Sequence, residues 1–386
     1  MKILFVHNFY QVAGGEDAVY KNENTLLEIN GHQVIEYTVN NISIKSLWDK
    51  IGVIFSTIFS ISQYRNIKRV LTDAKPDVVH VHNYFPLISP AFFYACKKAN
   101  VPVVHTLHNY RAVCPTALLM HEGKINETSV KSNSWWTVRK KVYRNSYIGS
   151  FALACMVELH KKLGTWQTKV DCFIALTEFS RQKYIEAGWP ARKIVVKANF
   201  IEDVFEPKIK SNKGTANALF IGRLSEEKGI STLLTAWKNI SFRINIIGEG
   251  AIDKPVGTSI NLLGRKTKKE VISFIKKSSF IVVPSICYEG FPMAIVEAFA
   301  CGTPVICSRI GSMKEIVVDG VTGLHFEAGN SVDLAEKVQW MFDNPDKVKK
   351  MGSNARKEYL AKYTPEKNHQ ILMGIYHQAI EEANSK

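Results

Sequence analysis

Residues 280–301 read FIVVPSICYEGFPMAIVEAFAC, and their order decides how the chain is built. The apolar run Phe280–Ser285 has the unbroken hydrophobicity of a strand buried on both faces, the mark of a parallel sheet. The spacing then predicts a helix that opens at Pro292, whose missing N–H costs nothing at the first helical position. Gly302 closes that helix. Strand, glycine-bearing turn and helix start together leave free backbone N–H groups that can hold a phosphate. Glu289 and Glu297 are separated by seven residues, one at the mouth of the turn and the other about two turns into the helix. At 1.5 Å per residue they stand up to ~12 Å apart. That exceeds the ~5–9.5 Å carboxylate pair that flanks one glycosidic bond in a hydrolase. Two carboxylates at different depths beside an anion site suit the two ends of one extended ligand.

Working outward, strands and helices alternate along the whole chain, which argues for parallel sheets covered by helices. The first half offers strands at Ile3–His7, Val34–Thr38, Val78–His82, Val103–Leu107 and Cys172–Ala175, with helices at Asp17–Asn30 and Pro90–Ala99. The second half offers Ala218–Ile221, Arg243–Ile247, Phe280–Val283 and Val305–Cys307. The polar stretch 202–217 reads as a linker. A last helix over Thr364–Ala383 has Ile371, Leu372, Ile375 and Ile380 at helical spacing. The fold expected is α/β, two Rossmann-like parallel-sheet domains, with ligands at the carboxyl ends of the strands.

The composition narrows the partners. With 386 residues and 46% hydrophobic content, the chain has room for two globular domains. Its start, MKILFVHNF, is too short an apolar run for a signal peptide, and Ile51–Ile61 falls short of a ~20-residue membrane span. The seven cysteines include no C-x-x-C pair, which fits free thiols in a reducing compartment. A cytoplasmic protein is expected. The net charge of +15 is uneven: residues 1–200 carry 25 Lys and Arg against 14 Asp and Glu, a surplus of 11, and the remainder a surplus of 4. No zinc-finger spacing, RNP-like strand or basic helical stripe points to nucleic acid. Instead Trp135, Trp136, Arg139, Lys140 and Lys141 mix aromatic and basic side chains, as suits the inner face of an anionic membrane. The other reading of that segment is a solvated helix whose tryptophans face the core. No His, Asp or Glu grouping has metal-ligand spacing in the sequence.

Several further motifs stand in order along the chain. Gly222-Arg223-Leu224-Ser225-Glu226-Glu227-Lys228-Gly229 follows an apolar strand, Ile246–Gly250 reads IIGEG, and Cys301–Val305 reads CGTPV. Gly311-Ser312 and Gly320–Leu324 (GVTGL) come next, and Gly14-Gly15-Glu16 follows the first strand. With Glu289-x7-Glu297, this set resembles the retaining GT-B glycosyltransferases of the large family-four group, over residues 3 to about 330. The stretch Leu107–Pro115, LHNYRAVCP, is similar to a subset that builds polysaccharide and lipopolysaccharide. The cysteines that often follow in that subset are absent here.

The resemblance implies two Rossmann-like domains facing a central cleft. Residues 1–200 would bind the acceptor, residues 201–363 the nucleotide-sugar donor, and the tail 364–386 would cross back onto the first domain. It implies a retaining hexosyltransferase acting on a lipid-linked or polysaccharide acceptor. Arg223 and Lys228 would neutralise the donor diphosphate, a planar fork and a mobile point charge. Gly15, Gly222, Gly290, Phe291, Pro292 and Met293 would line the donor site, with backbone N–H groups from Gly290, Phe291 and Met293. Glu297 would hold the ribose hydroxyls and Glu289 the sugar, without acting as a nucleophile. His108, followed by Asn109 where many relatives carry Asp, would face the sugar or acceptor. Gly14 and Glu16 would form the acceptor-side loop. The departing diphosphate would take the acceptor proton, and no metal or other cofactor is expected. Two alternatives belong to other classes: a GT-B nucleotide-sugar epimerase or hydrolase, and a non-enzymatic nucleotide- or nucleic-acid-binding scaffold.

Overall fold

The computed structural model describes residues 1–11, 14–41, 56–206, 217–250 and 259–385. The middle of the anticipated linker (207–216) and the first part of the apolar stretch 51–61 lie outside the described residues. The chain separates into two compact units. The first comprises residues 1–121, 126–198 and 368–386; the second comprises 122–125 and 199–367.

The first unit holds six parallel strands: β1 (Lys2–Phe9), β2 (Gln33–Asn40), β3 (Val78–Val81), β4 (Val103–Leu107), β5 (Cys172–Ala175) and β6 (Ile194–Val196). Their spatial order is β2-β1-β3-β4-β5-β6, with Ile3 opposite both Val34 and Val78. Helices cover both faces, so Ile3, Leu4, Phe5 and Val6 are all fully buried, as an interior parallel strand requires. The second unit repeats the design with β7 (Asn217–Ile221), β8 (Arg243–Ile247), β9 (Ile260–Gly264), β10 (Phe280–Val283), β11 (Val305–Ser308) and β12 (Gly323–Phe326). Their order is β9-β8-β7-β10-β11-β12. Strands β6, β9 and β12 are additions to the sequence reading. The first two are edge strands that are only partly buried, so neither carries the solid apolar run that marks an interior strand.

The last helix, Pro365–Asn384, returns to the first unit. Leu372, Ile375, Tyr376 and Ala379 share a core with Ile3, Phe5, Val78 and Val104. Burying each of the larger side chains stabilises by about 1.5–3 kcal/mol. That holds the tail to a sheet nearly the whole chain away in sequence. Among the described residues, no helix is long and apolar enough to cross a membrane.

One glycine governs how the second unit's loops meet. Gly229 has φ +70°, and a Cβ there would lie 1.8 Å from the carbonyl oxygen of Pro284. The loop after β7 can therefore rest on the exit of β10 only if residue 229 has no side chain. Gly229→Ala is expected to destabilise the second unit by about 2 kcal/mol or more. For a unit of this size that amounts to about 4–8 °C in its own melting transition, which differential scanning calorimetry would resolve.

Candidate functional site

The second unit's site is assembled from loops that leave the carboxyl ends of β7, β8 and β10. The loop Gly222–Lys228 is held against its neighbours by backbone bonds: Gly222 N–H to Ile247 carbonyl (3.0 Å), Leu224 N–H to Glu249 carbonyl (2.8 Å) and Ile286 N–H to Glu227 carbonyl (3.0 Å). These bonds bring Lys228 to Glu289, with Nζ 2.6 Å from Oε1. The same oxygen accepts from Ser285 Oγ at 2.6 Å. Burial alone would push the Glu289 carboxyl up, but Lys228 and the two hydrogen bonds hold it below the usual carboxylate range. Burial works against the Lys228 ammonium, and Glu289 more than offsets it, raising the lysine above its ordinary value. The two form a charge-assisted pair.

The helix after the turn is Met293–Ala300, with Pro292 as its N-cap in extended backbone. It begins one residue later than the sequence predicts, because Pro292 has ψ 96° and so stands outside the helix. Glu289 therefore belongs to the turn, and Glu297 is the fifth helical residue, little more than one turn in. The N–H groups of Gly290, Phe291 and Met293 carry no hydrogen bond to any described residue, so the predicted donors are free. The Gly290 carbonyl accepts from Ser312 Oγ at 3.2 Å, and the Phe291 ring lies 6.0 Å from that of Tyr363. Among the described residues, no cation pairs with Glu297. Burial pushes its carboxyl up to about 7, and Lys268 lowers it only in part. Arg223 departs from expectation: its side chain is 68% exposed and pairs with Glu227 at 3.0 Å, so it does not join the Lys228–Glu289 pair directly. Gly222 lies at the root of the same loop.

The first unit gathers its polar groups at the corresponding edge. Gly14 is the extended N-cap of the helix Gly15–Ile29, and a Cβ at Gly14 or Gly15 would meet nothing within 4 Å. Glu16 accepts from Asn83 Nδ2 at 3.2 Å and from Asn109 Nδ2 at 3.3 Å. Burial and the adjacent Asp17 push its carboxyl up to about 8, against lowering by Asn109 and Arg111. Asn109 thus holds Glu16. His108 lines a cavity with Tyr10, Asn83, Asn109 and Arg111, and its Nε2 lies 3.0 Å from His82 Nδ1.

Behind that cavity Glu23, His80 and His82 bring three metal-type ligand atoms within 4.8 Å of one another. Lys197 Nζ already sits on Glu23 Oε1, so the group balances its charge as a buried ion pair. Sequence spacing gave no sign of this cluster, since its members come from a helix, a strand and the segment after β6.

The aromatic and basic segment is divided. Trp135 is 45% exposed and its ring lies 6.0 Å from that of Phe151. Trp136 is half-buried, and its Nε1 donates to Ser129 Oγ at 3.0 Å. Arg139 and Lys140 are exposed, and Lys141 Nζ lies 4.4 Å from the centre of the Tyr147 ring. Ile148 and Phe151, 64% and 52% exposed, continue the apolar surface on the helix Tyr147–Lys162.

Two parallel-sheet Rossmann-like units, the second with an anion-ready turn, are the architecture of the GT-B fold. Residues 49–204 match the family described as Glycosyltransferase Family 4, and residues 202–358 the one described as Glycosyl transferases group 1. An uncharacterized glycosyltransferase of Methanocaldococcus jannaschii is 31% identical over 284 residues, covering 71% of this chain and 74% of the relative. The crystal structure of Anabaena HepE in complex with UDP is similar, with 17% identity, a TM-score of 0.68, and coverage of 97% and 99% of the two chains. The apo lipopolysaccharide outer core galactosyltransferase WaaB shares 17% identity at a TM-score of 0.61, covering 99% of each chain. The chain belongs to the family-4 GT-B glycosyltransferases, and its activity is glycosyl transfer from a nucleotide-sugar.

Glu297 supplies a test in the free protein. Its folded carboxyl titrates near 7, above the ordinary value of 4.5, so the folded state binds the proton more tightly than the unfolded state. The resulting stabilisation is present at low pH and fades as pH rises through about 7. Glu297→Gln is therefore expected to flatten the pH dependence of stability between about 4.5 and 7. Urea denaturation of both proteins at several pH values would check this.

Proposed function

We propose that this protein is a retaining glycosyltransferase that passes a sugar from a nucleotide diphosphate donor to a lipid-linked or polysaccharide acceptor. The observation that carries the donor side is the Lys228–Glu289–Ser285 contact beside the free N–H groups of Gly290, Phe291 and Met293. As the glycosyl bond breaks, negative charge grows on the diphosphate, and preplaced donors stabilise it best. Lys228, Arg223 and the turn N–H groups are those donors. Arg223, now exposed, would reach the diphosphate by exchanging Glu227 for it. Glu289 orients the sugar and Glu297 accepts from the ribose hydroxyls. Phe291, Pro292 and Gly222 line the donor site.

In the first unit, Gly14, Glu16 and His108 serve the acceptor and the transferred sugar. The diphosphate takes the acceptor proton, and neither a metal nor a basic side chain is required. HepE is bound to UDP, so UDP-sugars are the first donors to try. Replacing Lys228 and Arg223 together with Ala is expected to cut turnover by about 10²–10³ with the fold intact. The product is expected to keep the donor's anomeric configuration. Proton NMR of the first-formed product reads both; an inverted anomer would overturn the retaining assignment.

The acceptor assignment is supported by the LHNYRAVCP stretch, by the likeness to an outer core galactosyltransferase, and by the first unit's surface. Trp135, Ile148 and Phe151 expose apolar area beside Arg139, Lys140 and Arg144. That combination suits the headgroup region of an anionic bilayer at the inner membrane face. Each cation near such a surface contributes about 1 kcal/mol. Sedimentation with phosphatidylglycerol vesicles is expected to show binding that weakens with salt and falls in an Ile148→Ser, Phe151→Ser variant. Binding indifferent to anionic lipid would overturn this.

A further inference from the structure

A chain of buried groups runs from Lys197 to the cavity. Lys197 Nζ contacts Glu23 Oε1 and lies 3.3 Å from Asn368 Oδ1. Glu23 Oε2 lies 3.0 Å from His82 Nε2, at an angle short of a well-aligned hydrogen bond. His82 Nδ1 lies 3.0 Å from His108 Nε2. Glu23, Lys197 and His82 are at most 2% exposed. The other nitrogen of His108, Nδ1, hydrogen-bonds to none of the described residues, and His108 lines the cavity.

These contacts constrain protons. Lys197 balances the Glu23 charge, so the carboxylate remains ionised and can only accept. Its proximity favours the proton of His82 on Nε2. The Nδ1 of His82 is then a bare lone pair, and His108 must turn a protonated Nε2 toward it; the opposite tautomer would set two lone pairs face to face at 3.0 Å. Burial holds both imidazoles below their ordinary range, so each carries one ring proton.

We propose that Glu23 and His82 are positioning residues that fix the tautomer of His108, so that it presents a bare Nδ1 to a hydroxyl of the bound sugar. This rests on the reading above in which His108 meets that sugar. Glu23 and Lys197 are 174 residues apart, and neither lines the cavity. Their effect on the reaction would pass entirely through His82.

Long-range proton–nitrogen NMR of the imidazole rings in the full-length wild-type protein tests the inference directly. The expected result is His108 protonated on Nε2 and bare on Nδ1 at neutral pH; the reverse tautomer, or a mixture, overturns it. Glu23→Gln keeps the volume but can donate as well as accept. It is expected to mix the His108 tautomers and lower kcat/KM about tenfold, roughly the worth of one hydrogen bond. An unchanged tautomer in folded Glu23→Gln also overturns the proposal. Should that variant not fold, the wild-type spectrum decides alone. His108→Phe separates the two readings: full turnover in that variant, with the wild-type tautomer as expected, would remove the sugar contact instead.

Discussion

Each six-stranded sheet is parallel throughout, and a parallel sheet must bury both of its faces under helices. Every chain exit at the carboxyl end of a strand therefore falls on one edge of its sheet, and several lead straight into a helix. The functional groups of each unit collect there for that reason. Gly222–Lys228, Gly248 and Ser285–Met293 leave β7, β8 and β10. Gly14–Glu16, Asn83 and His108–Arg111 leave β1, β3 and β4. Close approach of these loops is a condition of the arrangement: a Cβ at Gly248 would lie 1.8 Å from the Gly222 carbonyl oxygen, as Gly229 would meet Pro284.

Buried charge is handled in two ways within this frame. Glu23 and Glu289 each have an ammonium against them, and both carboxyls are held below their usual range. Among the described residues, Glu16 and Glu297 have no ammonium against them, and burial raises both. In the first pair the ammonium balances the charge of the carboxylate it contacts. The second pair is left with acceptor capacity that only amide groups or a ligand's hydroxyls can use.

Much of the fold was legible because buried parallel strands write themselves as solid apolar runs. Phe280–Val283, Val103–Leu107 and Cys172–Ala175 were placed to the residue. Strands β6 and β9 were not, since edge strands are half exposed and their apolar signal is diluted. The tail helix Pro365–Asn384 was readable from its spacing, and it shares a core with the first sheet. At the site, Lys228, Glu289 and the turn glycines were visible as local motifs with fixed spacing. Ser285 and Ser312 were passed over, because a lone serine beside a strand has no signature of its own.

The sequence by itself determined the class of fold, the family and the order of the anion-binding turns, since each depends on residues within about one strand–turn–helix unit. Tertiary structure decided how side chains far apart are paired. It placed Lys228 on Glu289 but left Arg223 with Glu227. It turned Trp136 inward onto Ser129 while leaving Trp135 exposed. It also closed Glu23, His82, Lys197 and His108 into one buried chain. Hydrogen bonds and ion pairs act over about 3 Å, and only packing of the whole unit brings such groups within that range.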